Sequence, residues 1–147
     1  MQPTLKKSKQ RDAIVAFLMT RKDHPTADTI YMNIKKEFPN ISLGTVYRNL
    51  ALLSERGEIL KLTYDQGADR YDATVDPHYH FICRECGKVI DLEMDSLDEK
   101  VTAMANVKFK GKVEQSVIYF KGICEKCLKK KLDKKTLLVI MHIVKVE

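Results

Sequence analysis

The feature that most constrains this chain is a repeated cysteine motif. Its four cysteines stand as two CxxC pairs of one spacing, Cys83-Arg84-Glu85-Cys86 and Cys124-Glu125-Lys126-Cys127. Two such pairs are typical of a structural zinc site, in which four thiolates lie about 2.3 Å from the ion and leave no position for a substrate. A thioredoxin-like redox pair needs only one CxxC, so that alternative is disfavoured. We predict zinc bound by all four cysteines.

The length of the chain explains why it would need a metal. With 147 residues and 16.9 kDa, it forms one typical domain or two small ones. Modules of this size bury little apolar surface and usually recruit a metal, a disulfide or a partner chain. Zinc joining the two motifs would close a long loop around the second half, and its binding energy would become folding energy.

Hydropathy and charge narrow the class of protein. The longest apolar run, Leu137–Met141 continued by Ile143 and Val144, is far shorter than the ~20 residues of a membrane span. The first seven residues, MQPTLKK, lack a signal-peptide core, so we expect a cytoplasmic protein with reduced thiols. The net charge is +6, and the basic excess lies at the two ends of the chain, which fits a polyanionic partner.

Three short helices and a hairpin are predicted in the first half. Apolar residues recur at helical spacing in three segments: Arg11–Thr20, the stretch that Thr26 can cap, and Leu43–Arg56, which Ser42 can cap and Gly57 can end. Strand-like segments follow at Ile59–Tyr64 and Arg70–Ala73, separated by a turn-rich stretch. This order is that of a winged helix-turn-helix, whose third helix enters the DNA major groove.

The third helix carries four candidate contacts to double-stranded DNA, namely Thr45, Tyr47, Arg48 and Asn49. Arg48 can bind guanine through two hydrogen bonds, and Asn49 can bind adenine. Tyr47 can contact a phosphate or a thymine methyl group. The alternative, that these polar residues only face solvent on a small helical domain, stays open.

The composition changes around Val75-Asp76-Pro77, where we place the boundary between domains 1–74 and 75–147. The predicted elements of the second domain are strands His78–Cys83 and Lys88–Leu92, a helix over Ser96–Met104 with Leu97, Val101 and Met104 inward, and a strand over Val113–Phe120. The fold class is therefore α+β, a winged helix followed by a small zinc-stapled α/β domain. The basic and apolar tail after Cys127 is unassigned, and a further strand is one option.

A second metal site is predicted from histidines and carboxylates. His78 and His80, two apart on a strand, face one side, while Cys83 faces the other. Asp91 is placed to lie opposite His80 on the returning strand. His24, before the second helix, and Asp72, at the end of the wing, are further candidates. Such a nitrogen and oxygen donor set suits Fe²⁺ or Mn²⁺.

Several motifs, in this order, resemble the ferric uptake regulator family over about residues 8–128. They are the run His24-Pro25-Thr26-Ala27-Asp28-Thr29-Ile30-Tyr31, the run Thr45-Val46-Tyr47-Arg48-Asn49-Leu50, the run His78-Tyr79-His80-Phe81-Ile82-Cys83 with Cys86, and the pair Cys124 and Cys127. The resemblance implies a homodimeric, metal-dependent repressor with an N-terminal winged-helix domain and a C-terminal dimerisation domain. It assigns structural zinc to the cysteines and regulatory Fe²⁺ or Mn²⁺ to His24, Asp72, His78, His80 and Asp91.

The resemblance also suggests what the repressor senses. In the peroxide-sensing branch of the family, hydrogen peroxide reacts at the bound Fe²⁺ and oxidises a ligand histidine, matching His24 or His78, which releases the metal and an AT-rich palindromic operator. An aspartate at position 91 resembles that branch, since the iron-responsive branch tends to have glutamate there. Val113–Val117 also lacks the extra histidine of the iron and zinc branches. Iron-responsive regulation is the alternative.

The chain departs from most family members at both ends, and two other classes of protein are disfavoured. The N-terminal helix is shorter than in most members, with Ser8-Lys9-Gln10-Arg11 in place of a Thr-Pro-Gln-Arg-like stretch, and the tail is longer. A metal-dependent hydrolase is disfavoured because no general base stands beside His78 and His80 as in HExxH enzymes, so we expect no enzyme. A zinc-ribbon interaction module is disfavoured by the complete helix-turn-helix ahead of it.

Overall fold

The first three helices begin at the side-chain caps that the sequence provides. The computed structural model describes residues 8–64 and 67–144, without the side chains of 137 and 139–144. Helices α1 (Lys9–Met19), α2 (Ala27–Glu37) and α3 (Leu43–Glu55) follow the N-caps Ser8, Thr26 and Ser42. Each cap hydroxyl accepts a hydrogen bond from the backbone N–H three residues further on. The predicted caps of α2 and α3 are therefore confirmed.

The end of α3 leads directly into a small hairpin. Gly57 has a φ of +71°, and the backbone N–H groups of Gly57 and Glu58 donate to the carbonyls of Ser54 and Leu53, which closes the helix. Strands β1 (Leu60–Leu62) and β2 (Arg70–Asp72) then pair antiparallel. The helix, helix, helix, hairpin order is that of a winged helix, and the predicted turn residues Asp65 and Gln66 lie outside the described residues.

The chain divides into two compact units between Asp76 and Pro77. The first unit, up to Asp76, has a continuous apolar core. Eleven buried residues form it: Ile14, Leu18, Ala27, Ile30, Ile34, Ile41, Val46, Leu50, Leu53, Ile59 and Tyr71. They come from all three helices and both sides of the hairpin, so burial of hydrocarbon orients α3 relative to the wing.

The second unit, from Pro77, is built on a three-stranded sheet. Strand β3 (Tyr79–Cys83) pairs antiparallel with β4 (Val89–Leu92) and parallel with β5 (Phe120–Gly122), in the order β4-β3-β5. Helix α4 (Asp98–Asn106) lies between β4 and β5 in sequence, and α5 (Glu125–Val144) follows the last strand. None of the described helices is long and apolar enough to cross a membrane.

Three expectations for the second unit are wrong. The strand predicted over Val113–Phe120 is limited to Phe120–Gly122, because the side chain of Asn106 hydrogen-bonds both the N–H and the carbonyl of Val113 and no described strand pairs with the residues after it. Val101 and Met104 of α4 are exposed rather than inward. The tail after Cys127 continues α5 as a helix, so the option of a further strand is excluded over its described residues.

Candidate metal centres

The four cysteines lie together in the second unit. Cys83 ends β3, Cys86 lies in the following turn, and Cys124 and Cys127 stand just before α5 and in its first turn. Their Sγ atoms all lie within 4.8 Å of one another, and those of Cys86 and Cys124 are 3.8 Å apart. A tetrahedron with Zn–S bonds of about 2.3 Å has edges of about 3.8 Å. The cluster therefore fits structural zinc.

Backbone pairing brings the two cysteine motifs together. Gly87, with a φ of +70°, lets its N–H donate to the carbonyl of Cys83 and closes the first CxxC into a tight turn. The parallel pairing of β3 with β5 sets Cys83 opposite Gly122, two residues before Cys124. The backbone N–H of Cys124 then donates to Cys83 Sγ at 3.3 Å.

These contacts give the thiols different acidities. The hydrogen bond from the backbone of Cys124 lowers the pKa of the Cys83 thiol to about 6. Burial, together with hydrogen bonds among the sulfurs, raises the pKa of Cys127 to about 12. The first effect favours the thiolate form of Cys83, and the second favours the protonated form of Cys127. A metal that binds all four sulfurs must displace the proton of Cys127.

Two of the predicted regulatory ligands form a buried pair in the first unit. His24 Nε2 lies 3.2 Å from Asp72 Oδ2, and the two side chains are only 2% and 6% exposed. The other carboxylate oxygen of Asp72 accepts a hydrogen bond from the backbone N–H of Thr74, which fixes its orientation. The pair therefore presents one imidazole and one carboxylate in a fixed arrangement.

The loop that carries His24 is tied to strand β2. The Tyr71 N–H donates to the carbonyl of Pro25, and the Arg70 guanidinium donates to the carbonyl of His24. Thr26, the cap of α2, forms an isolated bridge with Arg70. These bonds place His24 beside Asp72, although 47 residues separate them in the chain.

The other three predicted ligands form a triad in the second unit. His78 and His80 share one face of the strand, and their rings are 4.4 Å apart. His80 pairs directly with Asp91 in the sheet register, as predicted from their similar distances to either side of the first CxxC. Asp91 Oδ1 lies 3.3 Å from His78 Nε2 and 3.6 Å from His80 Nε2. One carboxylate thus faces two imidazoles.

The four candidate DNA contacts on α3 are not equivalent. Tyr47 and Arg48 are exposed, whereas Thr45 and Asn49 are half-buried. Arg48 Nη2 donates to Thr45 Oγ1, which is itself 2.9 Å from the hydroxyl of Ser42. Asn49 Nδ2 donates to the backbone carbonyl of Thr45. Tyr47 and Arg48 are therefore presented to solvent, while the amide of Asn49 is already engaged within the helix.

Together these features define a winged-helix protein with a four-thiol cluster that fits zinc and with additional imidazole and carboxylate groups that could hold a metal, a combination suited to metal-dependent transcription regulators. A sequence model of the Ferric uptake regulator family matches residues 2–119. The Peroxide operon regulator of Bacillus subtilis is 42% identical over 122 residues, 82% of this chain and 83% of that protein. The chain belongs to the ferric uptake regulator family.

Solved structures of the family are also similar to this one. The Campylobacter jejuni peroxide stress regulator aligns with a TM-score of 0.66 and 32% identity, over 80% of this chain and 88% of that one. The Helicobacter pylori ferric uptake regulator, described as having three functional metal-binding sites, aligns with a TM-score of 0.71 and 28% identity, over 84% and 83%. The α+β fold and the family predicted from the sequence are confirmed.

Proposed function

We propose that this protein is a DNA-binding transcriptional repressor that senses peroxide through a bound Fe²⁺ ion. The observation that carries the proposal is the division of the regulatory ligands into two arranged sets, the His24 and Asp72 pair and the His78, His80 and Asp91 triad. Neither set alone offers more than three donors. Its activity is regulatory rather than enzymatic, and we place it in the cytoplasm with its DNA target.

The five ligands would hold one Fe²⁺ or Mn²⁺ ion together. Three imidazoles and two carboxylates form a donor set that suits these ions and differs from the soft thiolate set of the zinc centre. Because the ligands come from both units, the ion binds one arrangement of the units more tightly than others. Only such a difference in affinity can shift the population toward a DNA-binding arrangement.

Peroxide sensing requires that the ligand set be destroyed by the signal. When bound, Fe²⁺ would lend an electron to hydrogen peroxide and regain one from a nearby side chain, so that the side chain is the net reductant. His24 and His78 are the proposed targets, and each would gain one oxygen atom from peroxide as water is released. An oxidised imidazole is a poorer ligand, so the metal-dependent preference for the DNA-binding arrangement is lost. The names of the Bacillus subtilis and Campylobacter jejuni relatives support this branch.

Iron-responsive repression is the second candidate, and the fold similarity to the Helicobacter pylori ferric uptake regulator favours it. The two candidates share every ligand and differ in whether a histidine is modified. Mass spectrometry of the Fe²⁺-loaded protein after peroxide treatment separates them. One added oxygen on His24 or His78, with loss of DNA binding, supports peroxide sensing. Intact histidines with iron-dependent DNA binding support the alternative.

The DNA partner would be a palindromic, AT-rich duplex read by α3 through Thr45, Tyr47, Arg48 and Asn49. The exposure of Tyr47 and Arg48 and the basic excess of the first half support this assignment. In a gel-shift assay, the protein should retard such a duplex only when Mn²⁺ or Fe²⁺ is added. Retardation that ignores these ions would remove the sensor proposal.

A homodimer would supply the two copies of α3 that a palindrome needs. Its support is the apolar surface of the second unit, where large side chains face solvent: Val101, Met104, Val107, Phe109 and Val117. If these side chains form one continuous surface, it would be of the kind that marks protein interfaces. Sedimentation analysis should therefore give twice the mass of one chain.

A further inference from the structure

His24 adopts a backbone conformation that needs support. Its φ is +50°, and it is the one described residue other than glycine with a positive φ. For a residue with a side chain, this left-handed conformation is unfavourable and persists only where surrounding contacts impose it. His24 is also a proposed metal ligand. Its side chain is 2% exposed, and its Nε2 lies 3.2 Å from Asp72 Oδ2.

Arg70 makes a contact that can stabilise this conformation of His24. Its Nη1 donates a hydrogen bond of 3.0 Å to the backbone carbonyl of His24. The guanidinium is half-buried, and the neighbouring residue, Tyr71, holds the carbonyl of Pro25 at 3.1 Å. The two carbonyls at the turn are therefore both bound by consecutive residues of β2, which leaves the backbone of His24 little freedom to rotate.

The position of Arg70 links this support to the ligands. Arg70 and Asp72 stand two apart on β2, so one strand supplies both the hydrogen bond to the His24 backbone and the carboxylate that faces the His24 imidazole. A shift of the His24 backbone would move its imidazole away from Asp72. The arginine thus acts on the ligand pair without contributing a donor atom to it.

We propose that Arg70 is a positioning residue that holds His24 in its metal-binding conformation. The expected change in regulatory metal affinity rests on the proposed function. The positioning of His24 by Arg70 does not depend on a bound metal. Residues that orient metal ligands commonly change affinity by about 10-fold to 100-fold when they are replaced. We expect an effect near the lower value, because the Tyr71 bond to Pro25 remains.

The main experiment compares Mn²⁺ affinity in Arg70→Ala, Arg70→Lys and a matched control, Arg56→Ala, which removes an arginine paired with Glu58 in the same unit. Arg70→Ala should weaken Mn²⁺ binding about tenfold, with unchanged zinc content and helicity. Arg70→Lys, which keeps a donor and the charge, should recover part of the loss. Arg56→Ala should bind Mn²⁺ like the parent. If Arg70→Ala misfolds, Arg70→Lys should still bind Mn²⁺ more weakly than the parent protein.

A double-mutant cycle shows whether Arg70 acts through His24. In the His24→Ala background, Arg70→Ala should cause no further loss of Mn²⁺ affinity, because the residue it positions is gone. An equal tenfold loss in both backgrounds would overturn the proposal and assign Arg70 a general structural role.

A measurement on the metal-free protein tests the role of Arg70 separately from the proposed function. In the metal-free protein, the NMR cross-peak between the amide and α protons of His24 should be strong, as expected at positive φ, and should weaken in Arg70→Ala. An unchanged cross-peak would refute the positioning role even if Mn²⁺ binds as proposed. Failure of the parent protein to bind Mn²⁺ would instead count against the proposed function, while the cross-peak still tests Arg70.

Discussion

The two units of this protein differ in what stabilises the fold of each one. The first buries eleven apolar residues in one core, whereas the buried apolar residues described in the second are Tyr79, Val89 and two zinc-site cysteines. Helix α4 of the second unit has no buried residue. Hydrocarbon burial can stabilise the first unit alone, whereas we expect the second unit to need zinc bound by its four sulfurs.

The same contrast holds for the two sets of proposed metal ligands. The thiols all belong to one unit, and the spacing of their sulfurs already matches a tetrahedral zinc shell. The imidazoles and carboxylates are divided as a pair and a triad between the two units. A site contained within one unit is suited to permanent structure, while the proposed regulatory site, with ligands from both units, would respond to their arrangement.

The largest expected effect is loss of zinc from the second unit. Cys124→Ser replaces a buried sulfur and removes one of the four ligands, so zinc content should fall from about one ion per chain to nearly none. The second unit should then unfold, because structural zinc contributes on the order of 10 kcal/mol. Metal analysis and hydrogen exchange resolved by peptide check this. The first unit is the internal control, and loss of its protection as well would contradict the comparison.

The next largest effect is expected on Mn²⁺ binding at the proposed regulatory site. His80→Ala removes a buried imidazole facing Asp91 and should weaken Mn²⁺ binding by about 100-fold or more, while zinc content stays unchanged. Titration calorimetry with Mn²⁺ measures the change. The matched control is His142→Ala, because His142 is the one histidine of the chain outside the proposed metal ligands. Equal losses in both variants would show that His80 has no special role.

The sequence predicted local structure where local chemistry decides it. Thr26 and Ser42 each carry a hydroxyl that satisfies a helix N-terminus, and Gly57 permits the left-handed turn that ends α3. The two-residue periodicity of strands likewise predicted that His78 and His80 share a face, and their positions on either side of the first CxxC predicted that His80 opposes Asp91. These features depend on a few neighbouring residues.

The sequence failed where a distant partner decides the structure. Val113–Phe120 alternates like a strand, yet a strand forms only when another strand pairs with it, and Val117 is 81% exposed. Met104 keeps helical spacing on α4 but is 73% exposed. The contact of Arg70 with the His24 backbone was also missed, because this hydrogen bond joins residues 46 apart. Its place two residues before Asp72 on β2 was the available signal.

A smaller effect is expected on DNA binding by the first unit. Arg48→Ala removes an exposed guanidinium that Thr45 orients, and should weaken binding to a palindromic operator by about 1–3 kcal/mol. Fluorescence anisotropy in saturating Mn²⁺ measures the loss. Arg56→Ala is the matched control, since its guanidinium pairs with Glu58 beyond α3. An unchanged affinity for Arg48→Ala would mean that another helix reads the DNA.

The smallest expected effect is on the stability of the first unit, which contains none of the four cysteines. Ser42→Ala removes the hydroxyl that accepts the Thr45 N–H at 3.1 Å, and should lower the unfolding free energy of the first unit by about 1 kcal/mol. Ser54→Ala, in the same helix, is the control, because its Oγ is buried without a hydrogen-bond partner among the described residues. Ser54→Ala should leave the unfolding free energy of the first unit unchanged or slightly higher, since alanine has a high helix propensity. Urea unfolding followed by circular dichroism measures both variants. If Ser42→Ala also reduced zinc content, the two units would not be stabilised independently.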